Sequence, residues 1–243
     1  MSKPIAEQTV IVTGAAQGLG AAIAVHFAEL GAKLILFDYN REGLERTTGA
    51  CRGRARSVVV DLSSAEDTER AIAEGLDGIA TVDTMIHNAA ILIPTPFAQM
   101  TLKSFRATLD VGLQAAFQLT HAVWPGMQAA GGGTLVYVSS RSGIMGFADE
   151  TAYCTSKHGL EGLAKSLALE GAPLGIAAST ITPGMYMHTP MSERTYSTEL
   201  RQKWVDPSVL APAFSLLAGP RRAEFNGQRL DAWQLVQSKG AAA

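Results

Sequence analysis

The sequence predicts an α/β protein with one doubly wound parallel β-sheet and helices on both faces. Short β-branched or apolar runs recur along the chain, and segments with helical spacing of apolar residues separate them. A glycine-rich turn also joins the first run to the first helical segment. Strands of a parallel sheet are buried on both faces, so they read as continuous apolar runs. Their alternation with helices is typical of doubly wound folds.

The elements follow in order along the chain. The predicted strands cover residues 9–13, 33–38, 57–62, 84–89, 134–140, 175–181 and 228–232. The predicted helices cover residues 19–30, 64–78, 102–130, 153–170 and 208–218. No repeat or linker divides the sequence, so we expect residues 1–243 to form a single domain, with 238–243 as a disordered tail.

Composition excludes several classes of function. The 20 Lys and Arg residues against 22 Asp and Glu give a net charge of −2, and no basic run predicts nucleic-acid binding. No window of about 18 apolar residues and no signal peptide is present, which predicts a cytoplasmic protein without membrane contact. Cys51 and Cys154 show no metal-ligand spacing with the five histidines, so no metal site is predicted.

The glycine-rich segment TGAAQGLG, residues 13–20, follows the first strand and opens the first helix. In that position Gly14 permits a tight turn, Gly18 lets the backbone approach a pyrophosphate, and Gly20 lets the helix pack close to the sheet. We count Gln17 and Leu19 of the same segment as cofactor contacts. A bare turn is the alternative interpretation, but the position favours a dinucleotide site.

Asp38 ends the second strand, 24 residues after Gly14. A carboxylate there can accept hydrogen bonds from the adenosine ribose hydroxyls and would repel a 2′-phosphate, which favours NAD over NADP. Arg41 follows three residues later and is the residue that could instead accommodate the phosphate.

Tyr153 and Lys157 are separated by one helical turn and therefore share a helix face. A tyrosine acts as a base near neutral pH only if its pKa falls by about three units from about 10, which corresponds to ~4 kcal/mol. A cation about 4 Å away at an effective dielectric of ~20 supplies a similar energy. Lys157 could therefore activate Tyr153.

Together, the segments TGAAQGLG, HNAA (87–90), VSSRSG (138–143) and YCTSK (153–157) resemble the short-chain dehydrogenase/reductase family, which has the Rossmann fold. The resemblance runs from about residue 8 to 232. It implies that Ser140, thirteen residues before Tyr153, holds the substrate oxygen, that Tyr153 exchanges its proton, and that Lys157 tunes Tyr153 and holds the nicotinamide ribose. Hydride then passes directly between the substrate and the nicotinamide.

Further cofactor contacts are implied by the same resemblance. It places Asp61 and Leu62 near the adenine, and Asn88 and Ala89 beside the ribose. It places Pro183, Gly184 and Thr189 around the nicotinamide carboxamide. The segment 183–191 is one residue longer than is usual in the family, so Tyr186 could take over part of the contact of Thr189.

The main departure from the family pattern is Gly112, where the family commonly has an asparagine that holds a water linking the lysine to solvent. A smaller departure is Ala90, where glycine is frequent. For Gly112, three accounts are open: a water held by a backbone carbonyl at a local kink, a relay through another side chain, or weak or lost activity. The last account keeps a second function open, that of an NAD-binding or sensing protein without catalysis.

The expected substrate is a partly apolar alcohol or ketone of medium size. The predicted pocket residues are apolar and flexible, which suits an adaptable site: Ile91, Ile93, Met145, Phe147, Tyr186, Met187, Met191 and Trp204. Polar contacts could come from four residues, Arg141, Asp149, Glu150 and His188. The resemblance also implies a homodimer or homotetramer, with which the apolar stretch 115–124 is consistent.

Overall fold

A computed structural model of the chain describes residues 3–240. Within them, seven parallel strands form one sheet in the order β3-β2-β1-β4-β5-β6-β7. The strands are β1 (Thr9–Thr13), β2 (Lys33–Asp38), β3 (Ala55–Val59), β4 (Thr84–His87), β5 (Gly133–Val138), β6 (Ile176–Thr182) and β7 (Arg229–Asp231). The order reverses between β1 and β4, and open α/β sheets bind ligands at such a point.

The helices cover both faces of the sheet. They are α1 (Gly18–Glu29), α2 (Arg41–Ala50), α3 (Ala65–Leu76), α4 (Leu102–Leu109), α5 (Ala115–Ala129), α6 (Thr151–Gly171), α7 (Pro190–Thr195), α8 (Ala211–Leu217) and α9 (Ala232–Gly240). Side chains from α1 and α8 pack in one apolar cluster, and side chains from α5 and α6 pack in the other, on the opposite face. The predicted doubly wound α/β class is therefore confirmed.

The central strands are buried along their whole length, as their apolar runs predicted. Every residue of β4, β5 and β6 is buried, including Thr84, Thr134 and Thr180, whose hydroxyls a sequence profile would place outside. An apolar cluster packs against each face of the sheet, so these strands do not alternate between polar and apolar residues.

One predicted helix, 102–130, is interrupted. Between α4 and α5 the segment Asp110–Gln114 is a π-helix, in which the N–H of Ala115 donates to the carbonyl of Asp110. Gly112 lies at its centre. Residues 110–114 remain helical, so the sequence pattern predicted one continuous helix and did not reveal the π turn.

The predicted disordered tail is wrong for residues 238–240, which belong to α9, while residues 241–243 lie outside the described part. Trp233, Leu235 and Val236 pack against the cluster of α1 and α8, and this packing holds the helix on the sheet. The prediction also missed α2, which Asn40 caps by accepting a hydrogen bond from the Gly43 N–H at 3.1 Å. Its weakly apolar sequence gives little helical periodicity.

Candidate active site

A large cavity of about 1130 Å³ lies over the carboxyl ends of β1, β2, β4, β5 and β6. It is lined by every predicted catalytic and cofactor residue except Gly20. Those lining residues are Gly14, Gln17, Gly18, Leu19, Asp38, Asp61, Leu62, Asn88, Ala89, Ser140, Tyr153, Lys157, Pro183, Gly184, Tyr186 and Thr189. Residues from seven separate stretches of the chain thus meet at one edge of the sheet, because parallel strands end there together.

The glycine turn has the backbone that a phosphate loop requires. Gly14 and Gly18 have φ values of +65° and +56°, which side chains disfavour. A Cβ on Gly14 would lie 2.8 Å from Asn88 Nδ2, and one on Gly20 would collide with the carbonyl oxygen of Gly14. Gly20 therefore serves the packing of α1 on the turn, while Gly14 and Gly18 face the cavity.

Asn88 and Thr13 hold this turn in place. The Asn88 amide donates to the carbonyls of Thr13 and Gly14 at 3.1 Å each. The Thr13 hydroxyl accepts the N–H groups of Asn88 and Ala89, at 3.0 and 3.1 Å. No side chain caps the N-terminus of α1, so its first N–H groups are available for an anion. These residues fit a dinucleotide pyrophosphate.

Asp38 is buried and fixed by two backbone N–H groups. Its Oδ2 accepts from Ala16 and its Oδ1 from Asn40, each at 2.9 Å. Each oxygen keeps a lone pair for a ribose hydroxyl. Arg41 instead borders a separate depression with Glu45 and Glu74, and it does not line the large cavity.

The two serines at the end of β5 face opposite ways. Ser139 is buried, and its hydroxyl donates to Glu161 Oε1. Ser140 lines the cavity, and its hydroxyl lies 3.3 Å from that of Ser142, which in turn donates to Glu150 Oε2 at 2.9 Å. The structure therefore places Ser140 and not Ser139 beside Tyr153.

Lys157 is 2% exposed, and its Nζ donates to the carbonyl of Val138 at 2.7 Å. Burial lowers the pKa of Lys157 to about 8, and the carboxylate of Glu161 acts in the opposite direction. Nζ lies 5.4 Å from the ring centroid of Tyr153, and no direct hydrogen bond joins the two side chains among residues 3–240.

The predicted low pKa of Tyr153 is not what the protein alone produces. Burial raises the pKa of Tyr153 above its ordinary value, nearby Tyr196 and Glu150 raise it further, and the Ser140 hydroxyl acts in the opposite direction. Sequence reasoning counted the attraction of Lys157 and omitted the cost of burying a phenolate.

Several pocket predictions change with the structure. Met145 is half exposed and, like Trp204, does not line the cavity, whereas the other six apolar residues do. Of the polar candidates, Arg141 and Glu150 line the cavity; His188 instead pairs with Glu193 at 2.8 Å on the surface. Asp149 is absent from the lining, and its carbonyl accepts the N–H of Thr95.

Sequence reasoning missed Arg229 and Asp231, which enter the cavity wall from β7. Arg229 donates to Glu161 Oε1 at 3.2 Å and to the carbonyl of Ser140 at 3.1 Å. Asp231 lies so close to Gly184 that a side chain there would collide with its carboxylate. No local motif marks these residues, since only the pairing of β7 with β6 brings them to the site.

None of the helices in the described chain is long and apolar enough to cross a membrane. Residues 3–240 also hold no cluster of His, Cys, Asp and Glu with the arrangement of a metal site.

The fold and this edge of the sheet define a nucleotide-binding α/β protein with a serine, a tyrosine and a lysine in its cavity. Residues 8–200 match the family described as short chain dehydrogenase. The chain belongs to this short-chain dehydrogenase/reductase family and is an oxidoreductase of that class.

Relatives of the chain act on alcohols and polyols. D-threitol dehydrogenase of Mycolicibacterium smegmatis is 30% identical over 232 residues, covering 90% of this chain and 89% of that protein. L-xylulose reductase of Mus musculus is 32% identical, with 85% and 80% covered. Cyclohexanol dehydrogenase of an Acinetobacter species is 30% identical, with 79% and 77% covered.

Solved structures agree with this assignment. A Beutenbergia cavernae protein named as an NAD(P)-dependent gluconate 5-dehydrogenase, with NADP bound at low occupancy, gives a TM-score of 0.86 at 29% identity. The superposition covers 95% of this chain and 97% of that one. A short chain dehydrogenase of Shigella flexneri complexed with NADP gives 0.85 at 26% identity, covering 93% and 97%.

Proposed function

We propose that this protein transfers hydride between NAD and a secondary alcohol or ketone, with Tyr153 as general acid and base. The observation that carries the proposal is that Ser140, Tyr153 and Lys157 line the same cavity as the glycine turn and Asp38. A bound dinucleotide would be held by the N-terminus of α1, Asp38 and Lys157, and its nicotinamide would accept or donate the hydride.

In the direction of oxidation, the substrate hydroxyl lies between Ser140 Oγ and Tyr153 Oη. Tyr153 takes the hydroxyl proton while the carbon gives up its hydrogen with two electrons, so the alcohol becomes a ketone. Lys157 keeps two N–H donors beyond its bond to Val138, and these suit the ribose hydroxyls of the cofactor. An ammonium group on Lys157, with Nζ 5.4 Å from the ring centroid of Tyr153, also favours a phenolate there by Coulomb attraction.

NAD is proposed as the cofactor because the carboxylate of Asp38 is fixed by two N–H groups and Arg41 borders a different depression. A 2′-phosphate would meet an anion without a facing cation. Two structurally similar proteins hold NADP, so the test below uses both cofactors.

The substrate is proposed to be a small polyol or a cyclic secondary alcohol. Relatives named for threitol, xylulose and cyclohexanol support this choice. The cavity combines apolar walls, such as Ile91 and Phe147, with polar groups at Ser142 and Glu150. A single domain, a cytoplasmic location and a homodimer or homotetramer are proposed as well, and light scattering of the purified protein tests the last.

The decisive test incubates the protein with threitol, xylitol and cyclohexanol, each with NAD and separately with NADP, and follows reduced nicotinamide. We expect turnover with NAD that Tyr153→Phe lowers at least a thousandfold while cofactor binding persists. Tyr39→Phe, an exposed tyrosine at the cavity margin, is the control.

A second candidate is an NAD-binding protein without catalysis. Gly112, which lacks the amide of the family's asparagine, and the raised pKa of Tyr153 favour it. Cofactor binding without turnover on any substrate of the panel would support this candidate against the first.

A further inference from the structure

Glu150 presents to the cavity a carboxylate oxygen that no other residue of the described chain uses. Its Oε2 accepts a hydrogen bond from Ser142 Oγ at 2.9 Å. Among residues 3–240, its Oε1 accepts no hydrogen bond, no Lys, Arg or His forms an ion pair with the carboxylate, and the oxygen is not sealed from solvent. Glu150 lines the large cavity, so Oε1 is open to a bound molecule.

This carboxylate lies next to the groups proposed to hold the reacting oxygen. Ser142 Oγ, to which Glu150 is bonded, lies 3.3 Å from Ser140 Oγ, so one hydroxyl separates the carboxylate from Ser140. Glu150 also comes one helical turn before Tyr153 along the chain. A polar group on the substrate carbon next to the reacting carbon therefore comes within reach of Glu150.

No structural task explains a carboxylate in this position. Glu150 is the N-cap residue of α6, but its side chain makes no capping hydrogen bond to the helix. Its negative charge also raises the pKa of Tyr153, which disfavours the phenolate that the proposed proton transfer uses. A role in binding the substrate accounts for a carboxylate that neither caps its helix nor favours the catalytic base.

The surroundings of Glu150 select a neutral hydroxyl as its ligand. Arg141 and Tyr196 line the same cavity, and the charges of Arg141 and Glu150 both act on the phenol of Tyr196. A hydroxyl can donate to the carboxylate and accept from the guanidinium or the phenol. An ammonium group only donates and would be repelled by Arg141, whereas a carboxylate only accepts and would be repelled by Glu150.

We infer that Glu150 binds the second hydroxyl of a vicinal diol, whose neighbouring hydroxyl reacts between Ser140 and Tyr153. The inference rests on the proposed function and narrows its substrate class to polyols and cyclic diols with adjacent hydroxyls. Ser142 is a positioning residue, because its hydrogen bond holds Oε2 and leaves Oε1 for the substrate.

The reaction changes only one of the two hydroxyl-bearing carbons. The reacting carbon gives its hydrogen with two electrons to NAD, its hydroxyl gives the proton to Tyr153, and the carbon–oxygen single bond becomes a double bond. The second hydroxyl keeps its proton and shares it with Glu150 in a hydrogen bond. The products are an α-hydroxy ketone, the reduced cofactor and one proton.

The test compares kcat/KM for cyclohexanol and for cis-cyclohexane-1,2-diol, both with NAD. We expect the wild type to favour the diol by about tenfold to a hundredfold, since only the diol forms the charge-assisted hydrogen bond to Glu150. Glu150→Leu should reduce this ratio to near the statistical advantage of a molecule with two hydroxyls. Glu150→Gln, which keeps one carbonyl acceptor, should give a ratio between the two.

Asp149→Asn is the matched control. Asp149 is an exposed carboxylate next to Glu150 in the chain and does not line the cavity, so this variant should keep the wild-type ratio. If Glu150 only supported the shape of the site, Glu150→Leu would lower kcat/KM for both substrates together, and the unchanged ratio would overturn the inference. Faster turnover of 2-aminocyclohexanol than of the diol would also overturn it, because the ligand would then be a cation.

Calorimetric titration of the diol into the protein–NAD complex gives a readout that is independent of turnover. We expect Glu150→Leu to raise the Kd of the diol about tenfold or more. If the wild type oxidises cyclohexanol and the diol has no advantage, the proposed function stands and this inference fails. If the wild type oxidises no alcohol, the proposed function fails and the titration alone decides the inference, with equal Kd values in the two proteins overturning it.

Discussion

At the scale of single residues, the proposed preference for NAD over NADP rests on Asp38. Its carboxylate accepts hydrogen bonds from two backbone N–H groups and lines the large cavity, whereas Arg41 lines a different depression. We expect Asp38→Ala to weaken NAD binding by about 1–3 kcal/mol and to reduce the preference for NAD over NADP. Titration of both cofactors by protein fluorescence measures each affinity.

Arg41→Ala is the matched control for this prediction. It removes a charge three residues away, so we expect both cofactors to bind as they do to the wild type. A loss of NADP affinity in this variant would show that Arg41 turns toward the 2′-phosphate.

Lys157 has a predictable effect on stability. Its pKa is about 8 in the folded protein and 10.5 without burial, so the unfolded chain binds more protons between these pH values. Stability therefore rises with pH in that window, by up to about 3 kcal/mol. Lys157→Met lacks this titration.

The measurement is urea unfolding of both proteins at pH 7 and pH 10. The wild type should gain free energy of unfolding relative to Lys157→Met as the pH rises. A constant difference between the two proteins would mean that Lys157 is solvated in the folded state.

At the scale of elements, the π-helical segment decides how Gly112 contributes. Alanine is favoured over glycine in a helix by about 1 kcal/mol, but overpacking a core costs about 1–3 kcal/mol. The Cβ of Gly112→Ala would collide with the Ser156 hydroxyl, so we expect this variant to be destabilised.

A double-mutant cycle tests that contact. In the presence of Ser156→Ala the added methyl group has room, so Gly112→Ala should become neutral or stabilising. We expect a coupling energy of about 1 kcal/mol or more from denaturant unfolding. Additive effects would show that Ser156 turns away at no cost.

Elements were predicted unevenly from the sequence. The strands β1, β2, β4, β5 and β6 follow from apolar runs, because burial on both faces leaves a strong local signal. Helix α9 and the π turn were not predicted. Helix α9 depends on packing against α1 and α8, and the π turn depends on one hydrogen bond, from the N–H of Ala115 to the carbonyl of Asp110.

At the scale of the whole molecule, Arg229 connects β7 to α6 and to the end of β5 through hydrogen bonds. It donates to Glu161 on α6 and to the carbonyl of Ser140, 68 and 89 residues away along the chain. Glu161 is buried and also accepts hydrogen bonds from Ser139 and Thr180.

Arg229→Met should therefore lower both stability and turnover. Its side chain is 26% exposed, so we expect a loss of about 1–3 kcal/mol, less than for a fully buried pair. Thermal unfolding and kcat check this, and Arg221→Met, whose partner Glu224 is also exposed, is the control. Equal effects of the two changes would contradict the role of the Arg229 network.

The sequence alone determined the fold class and the family, and it singled out Ser140, Tyr153 and Lys157 as the proposed catalytic group. Continuous apolar runs, the glycine turn and the YCTSK segment are local, because buried parallel strands, a phosphate loop and one helix turn each need particular residues at short spacing. It also identified Gly112 as the departure from the family pattern.

Tertiary structure decided the environment of those residues. It set the raised pKa of Tyr153, the lowered pKa of Lys157, the entry of Arg229 and Asp231 into the cavity wall, and the position of the Ser156 hydroxyl beside Gly112. These depend on burial and on contacts between distant strands and helices, and solvation and long-range packing leave no periodic signal in a sequence.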